Sequence, residues 1–133
     1  MILDTDVLSA IISPRCPDRL VRELAEAEGP VYTTAVNWGE IAYGLARHPR
    51  GDRLRAHYER LVLPALEMLP FDGDCAEAYG RLRAELEKKG ERLGEADLMI
   101  AAIALHHGFT LVSGNTRHLS RVPGLKLANW LEG

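Results

Sequence analysis

Short apolar runs alternate with longer amphipathic segments along the chain, and this alternation predicts strands separated by helices. The strand candidates are brief runs that end at polar or turn residues, namely 1–3, 31–33, 66–69, 110–112 and 125–127. The helix candidates repeat apolar residues every three to four positions, namely 7–12, 18–28, 35–47, 52–63, 74–89 and 93–106. Strands joined by helices favour right-handed crossovers, so we expect an α/β fold, an α/β/α sandwich around a central, mostly parallel sheet.

The helix predicted over 93–106 differs from the others because residues 98–105, LMIAAIAL, are apolar on every face. A helix of that kind lies buried on most sides. His107 and Gly108 follow as its C-terminal cap. Asp97 directly precedes the apolar stretch, so its carboxylate is expected to lose hydration, which disfavours the charged form unless a cation or hydrogen-bond donors compensate.

The composition is that of one globular domain. The chain has 133 residues, of which 47% are hydrophobic and 26% charged, and we expect a single domain over 1–133. No apolar run is long enough to span a membrane, and acids stand at the N-terminus where a signal peptide needs cations, so we expect a cytoplasmic protein. Cys16 and Cys75 are far apart without a CxxC spacing, which argues against a zinc site or a disulfide framework.

The net charge argues against a simple DNA-binding module and is compatible with a metal-dependent enzyme that acts on nucleic acid. A formal charge of −3 lacks the basic surplus of a simple DNA-binding module. It is compatible with an enzyme that binds phosphate through metal ions, because the carboxylates that hold such ions lower the net charge.

Polar side chains stand where a parallel sheet places its ligand site, beyond the carboxyl ends of the strands. They are Asp4, Thr5 and Asp6 after the first strand, Glu40 in the helix after the second, Asp97 opening the buried helix, and Ser113 and Asn115 after the fourth strand. Each has an ordinary structural interpretation when taken alone. Asp6 fits the N-cap of the first helix, Glu40 fits a solvated surface, and Asn115 fits a turn.

Taken together, Asp4, Glu40 and Asp97 indicate a metal site. Three neighbouring carboxylates repel one another, and a hard divalent cation resolves that repulsion. Oxygen ligands without Cys or His select Mg²⁺ or Mn²⁺. Such ions activate water and stabilise charge on a phosphodiester, so the residues predict a metal-dependent phosphoryl site.

Four segments resemble the motifs of PIN-domain ribonucleases, and they follow one another in the family's order. Residues 4–8, DTDVL, are similar to the DTNVL opening, and residues 38–44 contain the family's GEIAYG segment. Residues 94–102, GEADLMIAA, resemble its GxxDLMIAA helix, and residues 110–117, TLVSGNTR, are similar to its TLVTRNTR strand and turn. The similarity covers nearly the whole chain and is strongest to the VapC-like toxin branch.

The resemblance implies the same sandwich fold and an Mg²⁺- or Mn²⁺-dependent endoribonuclease that acts as the toxin of a toxin–antitoxin pair. Asp4, Glu40 and Asp97 would be the catalytic acids. Asp4 and Asp97 would be the main metal ligands, and Glu40 would bind a second ion or orient the attacking water. Thr5 and Ser113 would hydrogen-bond carboxylates or ordered water. The implied partners are RNA, a cognate antitoxin and a second copy of the chain in a homodimer.

Four positions depart from the family pattern. Asn115 stands where many relatives carry a fourth Asp, so a second metal is expected to bind more weakly. Asp6 replaces the usual Asn, and our hypothesis is that it restores part of the missing negative charge. His118 and Leu119 stand where Asp-Phe is common.

Two other functions are compatible with parts of the sequence. The Asp4-x-Asp6 pattern fits the start of a haloacid-dehalogenase-like phosphatase, but no lysine has a convincing strand-end context for that reaction. A catalytically weak or inactive PIN domain that binds protein or RNA is the second alternative, and Asn115 leaves it open. Arg117 and Arg121, after the fourth strand, are candidate RNA-binding residues, although a solvated surface is their more ordinary interpretation.

Overall fold

A five-stranded parallel sheet forms the centre of the computed structural model, which describes residues 1–132. Its strands are β1 (Ile2–Leu3), β2 (Tyr32–Thr34), β3 (Glu67–Leu69), β4 (Leu111–Val112) and β5 (Leu127–Ala128). Their order in the sheet is β3-β2-β1-β4-β5, and every neighbouring pair is parallel. The chain therefore builds outward from β1 to β3 and then crosses back to place β4 on the other side of β1.

Helices fill the connections between the strands. They are α1 (Thr5–Ile11), α2 (Asp18–Glu26), α3 (Ala35–Arg47), α4 (Gly51–His57), α5 (Gly73–Lys88), α6 (Glu95–His107) and α7 (Thr116–Leu119). A π-helical turn over Tyr58–Val62 and a 3₁₀ turn over Leu63–Ala65 follow α4. Within residues 1–132, none of the helices has both the length and the apolar character needed to cross a bilayer.

The two faces of the sheet carry separate apolar cores because neighbouring strand residues point to opposite faces. Leu3 and Val112 belong to one core, with partners from α1 to α4 and the turn after α4. Ile2 and Leu111 belong to the other, with partners from α6 and α7. Helices thus cover both faces, and the predicted α/β/α sandwich is confirmed, with a sheet that is entirely parallel.

The buried helix is also confirmed. Residues Ile100 to Ala104 of α6 are fully buried, and Gly108 ends the helix in the left-handed conformation, with φ 70°, that glycine adopts without steric cost. The prediction that Asp6 caps α1 is wrong. Asp4 is the N-cap, because its side chain accepts a hydrogen bond from the Thr5 backbone N–H. The helix therefore starts directly after the strand, with no turn between them.

Candidate active site

The candidate site lies where the strand order reverses. β1 and β4 are neighbours, yet the connection that leaves β1 runs to β2 on one side, and the connection that leaves β4 runs to β5 on the other. Such a switch point opens a crevice at the carboxyl ends of the strands. Asp4 follows β1 and Ser113 follows β4, and the Ser113 hydroxyl donates to Asp4 Oδ2 at 2.7 Å. The two residues are 6% and 0% exposed, so the carboxylate sits at the bottom of the crevice.

Three neutral donors hold the Asp4 carboxylate in one orientation. Besides Ser113, the Thr5 backbone N–H donates to Oδ1 at 2.9 Å, and Asn37 Nδ2 donates to the same oxygen at 2.7 Å. Buried carboxylates require such partners, because a charge without them loses its hydration uncompensated. Ser113 was predicted to hydrogen-bond a carboxylate, whereas Asn37 was missed.

Asn37 connects Asp4 to Glu40 through hydrogen bonds that run in one direction. The Thr34 hydroxyl donates to Asn37 Oδ1 at 2.7 Å. Asn37 Nδ2 then donates to the Thr5 hydroxyl oxygen at 3.0 Å as well as to Asp4. Thr5 in turn donates its only hydroxyl hydrogen to Glu40 Oε1 at 2.8 Å. The chain of donors therefore fixes the exposed Glu40 side chain relative to the buried Asp4.

Asp97, in the first turn of α6, is partly buried near the other acids. Loss of hydration raises the pKa of its carboxyl, and the negative charges of Asp4, Glu40 and Asp6 raise that pKa further. Asn115 Nδ2 donates to Asp97 Oδ2 at 3.2 Å. The fold thus brings the three predicted catalytic acids, from β1, α3 and α6, into one electrostatic cluster.

Asp6 lies at the edge of this cluster and contacts the turn after β4. Its Oδ2 accepts a hydrogen bond from the Gly114 backbone N–H at 2.9 Å. Loss of hydration and the charge of Asp4 raise the pKa of the Asp6 carboxyl. A Cβ on Gly114 would lie 2.7 Å from Asp6 Oδ2 and 2.9 Å from Leu131 Cδ1, so a side chain at that position requires the ends of these two side chains to shift.

The donor set suits a hard divalent cation. The cluster offers carboxylate oxygens from Asp4, Glu40, Asp97 and Asp6, with hydroxyl and amide groups behind them. Hard cations such as Mg²⁺ favour oxygen ligands. Among residues 1–132, no three acidic, His or Cys side chains already stand grouped as ligands of one ion. Each of these carboxylates keeps lone pairs free beyond its own hydrogen bonds.

The two arginines that were predicted to bind RNA make no described contact with the acids of the candidate site. Arg117 and Arg121 are exposed, and Arg121 Nη1 donates to the backbone carbonyl of Arg92 at 2.9 Å. Arg92 and His118, rather than these two arginines, line the cleft that includes Asp97. The roles of Arg117 and Arg121 stay predictions. Arg92 does not stand out in the sequence, because a single arginine in a polar loop resembles ordinary surface.

A family comparison assigns the class of protein. The PIN-domain family model matches residues 1–125. The chain therefore belongs to the PIN-domain family, as the four motifs indicated.

Individual relatives define the branch within that family. The VapC ribonuclease Y4jK of Sinorhizobium fredii is 37% identical over 123 residues, covering 87% of each chain. The tRNA(fMet)-specific endonuclease VapC of Shigella flexneri is 33% identical over 103 residues, covering 77% of each. The crystal structure of VapBC2 from Rickettsia felis, bound to a promoter DNA fragment, matches with a TM-score of 0.90 and 30% identity over 97% of each chain. The chain is a VapC-type ribonuclease, and nucleases of this type are metal-dependent as a class.

Proposed function

We propose that this ribonuclease hydrolyses RNA phosphodiester bonds at a site made by Asp4, Glu40 and Asp97, with Mg²⁺ or Mn²⁺ as its cofactor. The observation that carries the proposal is the electrostatic cluster at the switch point of the sheet. A partly buried Asp97 that is repelled by Asp4, Glu40 and Asp6 is costly unless a cation neutralises it. Oxygen-only donors favour these two ions over softer metals.

Asp4 and Asp97 are the proposed main ligands, and Glu40 is proposed to bind a second ion or to orient the attacking water. When bound, a divalent cation supplies positive charge for the scissile phosphate and makes water a better nucleophile. The protein fixes the orientation of its carboxylates through hydrogen bonds before any substrate binds. Thr5 orients Glu40 at 2.8 Å, and Ser113 orients Asp4 at 2.7 Å, so neither carboxylate needs to reorganise when the substrate arrives.

Asn115 and Asp6 determine how many negative charges the proposed site offers to metal ions. Asn115 donates its amide to Asp97, so it contributes a hydrogen bond where a carboxylate would contribute charge. Asp6 adds a negative charge that Asp97 senses. We propose that Asp6 compensates for Asn115 in attracting a second ion.

The relatives indicate the substrate and the partners. The Shigella enzyme is named for cleavage of tRNA(fMet), and the Rickettsia structure contains a toxin, an antitoxin and promoter DNA. We propose that this chain cleaves structured RNA such as tRNA in the cytoplasm, and that a cognate antitoxin inhibits it. We also propose that residues 1–133 form a single domain and that two copies of the chain form a homodimer.

The deciding experiment is metal-dependent cleavage of RNA. Purified protein is incubated with mixed tRNA and structured RNA after chelation, and then with added Mg²⁺ or Mn²⁺. Cleavage is expected only with the added ion. Cleavage that persists in excess chelator would overturn the metal assignment. Absence of any cleavage, combined with tight binding of the antitoxin, would support the inactive binding module instead.

Replacement of Asn37 tests the hydrogen-bond chain that connects the acids. Asn37→Ala removes the donor to Asp4 and Thr5, so we expect about 10- to 100-fold lower activity, the usual effect of losing a group that orients a metal ligand. The Mg²⁺ concentration that gives half-maximal activity is expected to rise by a similar factor. Titration of Mg²⁺ in the cleavage assay measures both effects.

Asn37→Asp is the matched comparison, because it keeps the size of the side chain but sets a carboxylate against Asp4. Its activity is expected to fall further than that of Asn37→Ala. Thermal melts monitored by circular dichroism separate a loss of folding from a loss of function. Wild-type Mg²⁺ dependence in both variants would show that Asn37 does not position the acids.

A further inference from the structure

We infer that a cleft beside Asp97 binds a phosphate of the RNA strand next to the bond that is cut, with Arg92 and His118 as its binding groups. The cleft has a volume of about 560 Å³ and is lined by Arg92, Leu93, Gly94, Asp97, Asn115 and His118. It therefore joins a proposed metal ligand to a guanidinium and an imidazole. The inference rests on the proposed function, because it places RNA against the same acids.

Asn115 determines how His118 is presented to this cleft. Nδ2 of Asn115 donates to Asp97, so Oδ1 is the acceptor end of the same amide. His118 Nδ1 lies 2.7 Å from that oxygen and therefore carries the hydrogen of this bond. The other ring nitrogen, Nε2, is left for a ligand, and the side chain is exposed. Nε2 donates to a phosphate oxygen in the imidazolium form of the ring, in which both nitrogens carry hydrogen. The departures from the family pattern at 115 and 118 thus act as a pair.

Arg92 is anchored through its backbone while its side chain remains exposed. It lies in the loop between α5 and α6, and its carbonyl accepts the hydrogen bond from Arg121 at 2.9 Å. The nearby acid Glu95, at the start of α6, forms its ion pair with Arg83, at 3.7 Å, and not with Arg92. Within residues 1–132, no ion pair engages the Arg92 guanidinium. The guanidinium is therefore available to an incoming anion.

A phosphodiester is the ligand that fits this combination of groups. RNA has to bring a negative backbone up to Asp4, Glu40 and Asp97, which repel it. A guanidinium beside them offsets that repulsion and contacts two phosphate oxygens at once. An acidic segment of a protein partner is the alternative ligand, but it has no phosphodiester to present to the adjacent acids.

The test measures RNA binding separately from cleavage. Affinity for fluorescently labelled tRNA is measured by anisotropy in Mg²⁺ over a series of salt concentrations. The protein carries Asp4→Asn, which is expected to block cleavage and leaves the cleft itself unaltered. Arg92→Gln is expected to weaken binding about tenfold and to reduce the salt slope by about 1, as for one lost phosphate contact. Arg92→Lys is expected to restore most of the slope, and His118→Phe is expected to weaken binding about threefold to tenfold.

The matched controls are Arg81→Gln and His106→Phe. His106 is nine residues from Asp97 along α6, about 13 Å at the helical rise, and Arg81 lines a separate cleft with His106. Both controls are expected to bind tRNA like the parent protein. Equal affinity and equal salt slope for Arg92→Gln and the parent would overturn the inference, whether or not that variant binds an acidic peptide more weakly.

Steady-state kinetics in the otherwise wild-type enzyme give a second readout. Arg92→Gln is expected to raise KM about tenfold with a much smaller change in kcat, because the contact is made in the bound substrate and in the transition state alike. If the wild type proves not to cleave RNA, the proposed nuclease site fails, while the binding series still decides the cleft. If the wild type cleaves and KM is unchanged in Arg92→Gln, the cleft is wrong and the nuclease site stands.

Discussion

Asp97→Asn is expected to reduce RNA cleavage by about 10²- to 10³-fold or more while leaving the fold intact. A metal ion contributes several kcal/mol of transition-state stabilisation, and each 1.36 kcal/mol is worth a factor of ten in rate. The substitution removes a charged ligand but keeps the shape of the side chain. Its amide oxygen can still accept the hydrogen bond from Asn115. Single-turnover cleavage of tRNA in saturating Mg²⁺ measures the loss.

Asp4→Asn is expected to have an effect of the same size. Its amide oxygen can accept from Thr5 and Asn37, and its amide nitrogen can donate to the Ser113 hydroxyl, so the crevice is preserved. Asp18→Asn, in the first turn of α2, is the matched control, with wild-type activity expected. Cleavage retained by both Asp4→Asn and Asp97→Asn would mean that the reaction takes place elsewhere.

The same Asp97→Asn substitution is expected to make the metal-free protein more stable at neutral pH. Burial and nearby acids raise the pKa of the Asp97 carboxyl above its unfolded value. The native state therefore binds more protons than the unfolded state between those two pKa values, and stability falls as pH rises through that window. Removing the charge relieves a like-charge repulsion of roughly 1 kcal/mol, which corresponds to a rise of about 3–6 °C in Tm.

The pH profile distinguishes this cause from a general packing effect. The difference in Tm between Asp97→Asn and the wild type is expected to be largest near neutral pH. It should shrink as the pH falls and the wild-type carboxyl is protonated. Added Mg²⁺ is expected to raise the Tm of the wild type more than that of the variant, because only the wild type has the full set of acids. A Tm difference that stays constant from pH 7 to pH 4 would rule out relieved charge repulsion.

Most of the fold follows from local patterns that the sequence displays directly. Apolar strands and amphipathic helices predicted the sandwich, and the uniformly apolar run identified α6 as buried. The helix predicted over 52–63 is instead α4 followed by a π-helical turn, Tyr58–Val62. That change of helical type keeps the hydrophobic spacing nearly unaltered, so periodicity cannot detect it. The short α7 escaped prediction because four residues are too few to establish a period.

The acids of the candidate site stand out in the sequence, and the hydrogen bonds that connect them do not. Asp4 and Asp97 stood out because each is a charge directly beside an apolar segment. Asn37 did not stand out, although it is 0% exposed, because its partners Asp4 and Thr5 lie more than thirty positions away in the sequence. Glu40 lies three positions after Asn37, about one turn of α3, and that spacing was the available signal. The partners of a buried amide such as Asn37 can be identified only when the pairing of the strands is known.

Gly114 limits how this ribonuclease can be altered by engineering. Most glycines in turns are chosen for their backbone angles, but here Asp6 and Leu131 occupy the space that a methyl group would need. A methyl group at position 114 is therefore expected to push the Asp6 carboxylate away from the acids it neighbours. Variant libraries that randomise this turn change the position of Asp6 whenever they place a side chain at 114.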